Sequence, residues 1–218
     1  MLKRALHVLS LALACLIAAS PATASDPTLA GFEHSDAMPI GEVWSLPPGI
    51  TIDEPVLGHS LFIENDCTID PDEVKGSGDM VMLCLTLRSQ ASTPVTVVIP
   101  SGLIFVSEQR RTQNGMVIKR VAVDIAPGEI LRIPLGLMCI NVSRSGSAIG
   151  DAYRIGPITQ NPAFRRFFDM LENKSVPTTA QKHDPFVIAA LQDAVFDLAA
   201  GKPLSQQALA AINALPDE

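Results

Sequence analysis

The sequence predicts a mainly β protein of the α+β class: an antiparallel, Ig-like β-sandwich followed by two or three C-terminal helices packed on it. Between residues 48 and 145, short apolar runs and alternating segments are separated by Pro, Gly, Asn and Asp, as is typical of antiparallel sandwiches. After residue 145 the apolar spacing changes to the helical period. We therefore divide the 218-residue chain into a signal peptide at 1–24, an irregular leader at 25–47, a β-sandwich at 48–145 and a helical C-terminal segment at 146–218.

The first 24 residues have the three parts of a secretory signal peptide. Lys3 and Arg4 make a basic start, residues 5–19 are almost continuously apolar, and residues 22–24 (Ala-Thr-Ala) supply the small residues that signal peptidase requires. We expect cleavage after Ala24 and export to the periplasm or the extracellular space. Lipoprotein cleavage before Cys15 is the alternative, and the apolar residues that follow Cys15 disfavour it.

The charge balance excludes one large class of partners. Without Lys3 and Arg4 the chain has 14 basic and 23 acidic residues, a formal net charge of −9. Such a chain repels phosphate backbones, so we expect no nucleic-acid partner. No segment after the signal peptide reaches the length of a transmembrane span.

The strand pattern is strongest between residues 80 and 142. Residues 80–87 are apolar on both faces, which indicates a central strand. The last apolar run, at 133–142, carries Cys139 near its end and is expected to deliver it towards the helices. The other predicted strands are 50–52, 60–63, 95–99, 103–106, 116–125 and 130–133.

Capping residues predict where the helices begin. Asn161 precedes Pro162, and Asp184 precedes Pro185, so each pair supplies an N-cap followed by proline at the first helical position. The second helix, at 186–200, ends before Gly201. A third, short helix starts at Ser205.

Three cysteines remain after Cys15 is removed, so at least one thiol is unpaired. Pairing of Cys67 with Cys84 closes a loop rich in Asp, Gly and Pro. Pairing of Cys84 with Cys139 has a separation similar to that in immunoglobulin domains, but the only tryptophan, Trp44, lies upstream of both. We expect the Cys67–Cys84 disulfide, and the second pairing stays open.

Gln192 stands out in the second predicted helix, because the residues three and four positions away are all apolar: Ile188, Ala189, Val195 and Phe196. Residues 192–196 (Gln-Asp-Ala-Val-Phe) resemble the Gln-x-Ala-(Val/Ile)-Trp motif of bacterial thioester domains, which are secreted adhesion modules. Residues 138–140 (Met-Cys-Ile) resemble the cysteine motif of that family. The resemblance implies an internal thioester between Cys139 and Gln192, formed with loss of ammonia and used as an electrophile towards amines.

A second resemblance concerns the strand region. Residues 94–102 match a Pro-Val-Thr-Val-x-Ile-Pro-x-Gly run and are similar to uncharacterised exported bacterial β-sandwich proteins. This resemblance implies a fold and no function.

Other chemistry has little support in the sequence. Nucleophile-elbow, zincin, P-loop and dinucleotide motifs are missing, so we expect no cofactor and no metal. The acidic turn at 66–79 offers oxygen ligands without EF-hand spacing, and His59 is a candidate partner for a Cys139 nucleophile. We expect an exported non-catalytic binding or structural module that contacts an unknown protein or surface ligand. The alternative is a reactive-cysteine module, with the Cys139–Gln192 thioester or, less favoured, a cysteine-nucleophile enzyme.

Overall fold

The computed structural model describes residues 26–63, 67–179 and 185–218, which form eleven strands and three α-helices. The predicted signal peptide with its cleavage site, and the residues His183 and Asp184, lie outside these ranges. The strands are β1 (Gly41–Glu42), β2 (Ile50–Ile52), β3 (Val56–Gly58), β4 (Lys75–Gly76), β5 (Val81–Ser89), β6 (Val95–Ile99), β7 (Leu103–Ser107), β8 (Gly115–Met116), β9 (Val121–Ile125), β10 (Ile130–Cys139) and β11 (Ala152–Thr159). The helices are α1 (Pro162–Leu171), α2 (Pro185–Ala199) and α3 (Gln206–Ala214).

Six of the strands close into a barrel. The hydrogen-bonded order is β5–β3–β11–β7–β8–β10, and β10 pairs with β5 again. Three short strands attach to this ring: β2 to β5, β4 to β10 and β1 to β11. Strands β6 and β9 form a separate two-stranded antiparallel sheet, whose residues Val97 and Ile99 are buried in the same cluster as the barrel interior.

The prediction of an Ig-like sandwich is therefore wrong, and the protein is a β-barrel. Local pattern could not separate the two architectures, since both consist of short antiparallel strands with one apolar face turned to a core. Closure depends on long-range pairings, chiefly β10 with both β5 and β8, and on β11 joining β3 to β7. Strand β11 also lies beyond residue 145, so the segment at 146–218 contributes a barrel strand as well as helices.

Successive side chains along the strands point alternately into the barrel and outwards, so the protein has one apolar core inside the barrel and a second one outside it. The odd-numbered residues of β5 and β10, from Val81 to Leu87 and from Ile133 to Cys139, belong to the interior cluster with Phe105 and Tyr153. Met138, on the outer face of β10, and Ile140, directly after the strand, belong instead to a cluster formed with the helices. This arrangement explains why the central strand segments are apolar on both faces.

Helices α1 and α3 begin where their caps predict. The Asn161 side chain accepts hydrogen bonds from the backbone N–H groups of Ala163 and Phe164, and Ser205 caps α3 through the N–H of Ala208. Helix α1 buries Phe164 and Phe167 in the outer cluster, and α2 buries Leu191 and Val195 there. Within the described ranges no helix has the length and apolar character needed to cross a membrane.

Candidate functional site

Cys139 and Gln192 meet, and the contact runs through the backbone of Cys139. The Cys139 N–H donates to Gln192 Oε1 at 2.8 Å, and Gln192 Nε2 donates to the Cys139 carbonyl at 2.8 Å. The β5–β10 register ends at Val81 and Leu137, so Cys139 lies two residues beyond the last β5 partner. The Gln192 carboxamide thus lies where a further residue of β5 would pair with β10, and it satisfies both the N–H and the carbonyl of Cys139.

The Cys139 side chain lies on the interior face of the barrel wall. Cys139 is completely buried in the interior cluster together with Tyr153, whereas Met138 and Ile140 face the helices. Burial raises the pKa of the Cys139 thiol to about 12. Burial likewise raises the pKa of Tyr153, whose hydroxyl donates to the Gln113 carbonyl at 3.2 Å. The Cys139 thiol is therefore protonated at neutral pH, and a protonated thiol is a poor nucleophile.

The disulfide joins Cys67 to Cys84, as predicted, and Cys139 is the free cysteine of the described chain. Cys84 is on the outer face of β5, since Leu83 and Leu85 on either side of it belong to the interior cluster. The bridge therefore attaches the segment that follows β3 to the outside of the barrel.

His59 and Cys139 do not come together. The backbone N–H of His59 donates to the carbonyl of Met82 at 2.8 Å, and both residues line an outer cavity, while Cys139 is inside the barrel. The described part of the acidic turn, 67–79, contains no group of three His, Cys, Asp or Glu side chains placed to hold a metal ion; Asp66 lies outside the described residues.

Sequence reasoning missed a surface groove along the outer face of β5. It consists of two adjoining cavities of about 640 Å³ and about 450 Å³, which share Ile149. We call this surface the outer groove. Its residues are Asp53, Pro55, Leu57–Gly58, His59–Ile63, Asp79, Met82, Cys84, Thr86, Arg88, Arg132 and Ser147–Gly150.

Backbone contacts hold the walls of the outer groove in place. Ser147 Oγ accepts from the Met82 N–H at 2.9 Å and donates to the Met82 carbonyl at 3.1 Å, which anchors the 147–150 loop to β5. On the same wall, a Cβ added to Gly58 would lie 2.0 Å from the Ala148 carbonyl oxygen, so β3 and this loop touch through their backbones. The opposite wall, at 59–63, precedes the disulfide cysteine Cys67.

The rim of the outer groove exposes large apolar side chains. Phe62 is 83% exposed and Ile63 58%, and Ile149 and Leu57 are also exposed. Clusters of exposed apolar side chains are typical of surfaces at which proteins bind ligands or partners. The sequence signal was the run Leu61-Phe62-Ile63, which is apolar without alternation and was predicted to be a strand, although the structure has none there.

The fold and site define a class of architecture, a closed six-stranded barrel with an outer helical layer and an apolar surface groove. No protein-family model, no curated protein and no solved structure matches this chain.

Proposed function

We propose that this protein is an exported, non-catalytic binding module of the periplasm or cell surface, and that the outer groove is its binding surface. The observation that carries the proposal is the exposed apolar rim of Phe62, Ile63 and Ile149 around a cavity of ligand size, with exposed Leu57 in the adjoining cavity. The barrel interior is filled by apolar side chains, which favours a surface site over an internal one.

The contact between Cys139 and Gln192 favours a structural role for both residues. A thioester requires an ionised cysteine and a carboxamide free to react with it. Here burial keeps the thiol protonated, and the carboxamide of Gln192 is engaged through both its oxygen and its nitrogen. The proximity of the two residues is the one observation in favour of the thioester alternative, and mass spectrometry decides between the two functions.

We expect the intact mass of the exported protein to equal that of the chain starting at Ser25 with one disulfide and no loss of ammonia. Methylamine should leave this mass unchanged, because no thioester is present to be opened. A thiol reagent should label Cys139 only after denaturation, since the side chain is completely buried in the fold. A mass short by one ammonia that methylamine restores and exceeds would instead establish the thioester.

We expect the neutral apolar dye Nile red to bind the outer groove. Replacing Phe62 and Ile149 together with serine should weaken this binding at least fivefold, because both side chains supply exposed apolar area at the rim. Fluorescence titration of the folded protein measures the effect.

Phe186 provides a matched control. It is 82% exposed, as Phe62 is 83% exposed, but it lies at the start of α2 and lines neither cavity of the outer groove. Phe186→Ser should leave Nile red binding unchanged. Equal losses from both substitutions would contradict the assignment of the binding surface.

A further inference from the structure

The two ends of the outer groove differ in chemistry. One cavity is lined mainly by apolar side chains, among them Phe62, Met82 and Ile149, with Asp79 as its carboxylate. The other is lined by Arg88, Arg132 and the carboxylate of Asp53, which leaves one cation in excess. The cavities adjoin at Ile149, so an apolar end leads into a basic end. This arrangement is unusual in a chain whose formal net charge is −7.

The outer face of β5 forms the floor of the groove and sets its length. The residues on its outer face are Met82, Cys84, Thr86 and Arg88, since the residues between them are interior. At about 3.3 Å per residue, the distance along the strand from Met82 to Arg88 is roughly 20 Å. Cys84, in the middle of this face, is bonded to Cys67, and the residue that both cavities share is Ile149, so the apolar and the cationic ends adjoin beside the disulfide.

Arg132 is the cation available to a ligand. Arg88 donates two hydrogen bonds of 2.7 Å to the carboxylate of Asp53, so these two charges compensate each other. Arg132 is exposed and makes no direct ion pair with any other described residue, although its charge adds to the Arg88 hydrogen bond that lowers the pKa of the nearby Asp53 carboxyl. It lies directly opposite Thr86 in the β5–β10 register, which places a hydroxyl beside the guanidinium.

A ligand cannot pair with β5 as an additional strand. Strand β5 pairs with β10 on one side and with β2 and β3 on the other, so its backbone groups are engaged. A ligand on this face must bind through side chains alone. An unbranched apolar chain satisfies this condition, whereas an extended peptide would leave its own backbone groups unpaired on an apolar floor.

We infer that the outer groove binds a single-chain amphiphile with an anionic headgroup, with the acyl tail between Phe62, Met82 and Ile149 and the headgroup on Arg132 and Thr86. The inference rests on the proposed function and names the ligand class of the same site. Guanidinium pairs well with carboxylate and phosphate, and the rest of this acidic protein repels anions, so headgroup selection depends on this local charge.

The test uses dodecanoate below its micellar concentration, with dodecyltrimethylammonium as a ligand of equal tail and opposite charge. Calorimetric titration of the folded protein should give at least tenfold tighter binding of dodecanoate. Arg132→Gln should remove this preference by weakening dodecanoate alone. Phe62→Ser should weaken both ligands to a similar extent. Shortening the acid to decanoate should weaken binding by up to about fourfold for each methylene removed.

Arg110→Gln is the matched control, because Arg110 is an exposed arginine that pairs with Asp36 and does not line the outer groove. It should leave dodecanoate binding unchanged. Equal affinity for the two amphiphiles, or no effect of Arg132→Gln, overturns the inference. If Nile red still binds through Phe62 in that case, the proposed function stands; if none of the three probes binds, the proposed function fails as well.

Discussion

Replacing Gln192 with alanine is expected to lower the free energy of unfolding by about 2–4 kcal/mol. The substitution leaves the N–H and the carbonyl of Cys139 without their partners, and β5 does not extend far enough to replace them. Each buried backbone group that loses its hydrogen bond costs about 1–3 kcal/mol. We expect a loss in the lower part of the range for two such groups, because Gln192 is partly exposed and water can replace part of the lost hydrogen bonding. Urea unfolding at pH 7, followed by circular dichroism, measures the change.

Gln192→Glu tests whether Gln192 stabilises the fold through its two hydrogen bonds or through packing alone. A carboxylate can accept from the Cys139 N–H, but its second oxygen then faces the Cys139 carbonyl, and two acceptors repel each other. Protonation restores a donor, so the folded state holds the proton more tightly than the unfolded state does. The free energy of unfolding of Gln192→Glu, compared with that of the wild type, should therefore fall as the pH rises above about 4.3, the ordinary pKa of glutamate.

Gln207→Ala is the control for these two variants, because Gln207 is an exposed glutamine on α3. It should change the free energy of unfolding by less than about 0.5 kcal/mol. A Gln192→Ala variant as stable as this control would show that the carboxamide is not a structural partner of Cys139, and would make the reactive-cysteine alternative more attractive.

Removing the disulfide by replacing Cys67 and Cys84 with serine is expected to lower the free energy of unfolding by about 3 kcal/mol. The bridge joins residues separated by 17 positions, and the cross-link removes loop-closure entropy from the unfolded chain. Urea unfolding under non-reducing conditions measures this loss. The wild type unfolded in a reductant should match the double variant, and equal stability of oxidised and reduced wild type would contradict the prediction.

The same double variant should also affect the outer groove. Cys67 ties the wall at residues 59–63 to the outer face of β5 through Cys84. Once the bridge is removed, this wall loses its covalent attachment to β5 and keeps the hydrogen bond from the His59 N–H to the Met82 carbonyl. Nile red binding by the folded variant should therefore weaken, whereas the unfolding transition should stay cooperative because the interior cluster is unchanged.

Local patterns predicted much of the secondary structure. The run Val95–Ile99 is a strand with the expected bounds, and the Asn161-Pro162 and Ser205 signals mark the starts of α1 and α3. The predicted strand at 116–125 is two strands, β8 and β9, in different sheets. Strand β11 escaped prediction because Gly156 and Pro157 interrupt its pattern, and its pairing with β7 is irregular at the same point.

The two candidate sites, like the secondary structure, were predictable from the sequence only in part. An apolar-ringed Gln192 and an unpaired Cys139 were visible in the sequence, and each is part of a contact that the structure contains. The kind of contact was not visible, since it depends on where β5 ends relative to β10. Arg132 and Phe62 are 70 residues apart, and no local pattern indicates that they line adjoining cavities.

The sequence by itself determined that the protein is mainly β with C-terminal helices, where most strands and helices begin, and which apolar residues are available for a core. These features follow from side-chain periodicity and capping, which act over a few residues. Only the tertiary structure decided that the sheet closes into a barrel, that Gln192 completes the hydrogen bonding of Cys139, and that an apolar groove ends at Arg132. Each of these depends on pairings between distant segments, and long-range register leaves no local trace in the sequence.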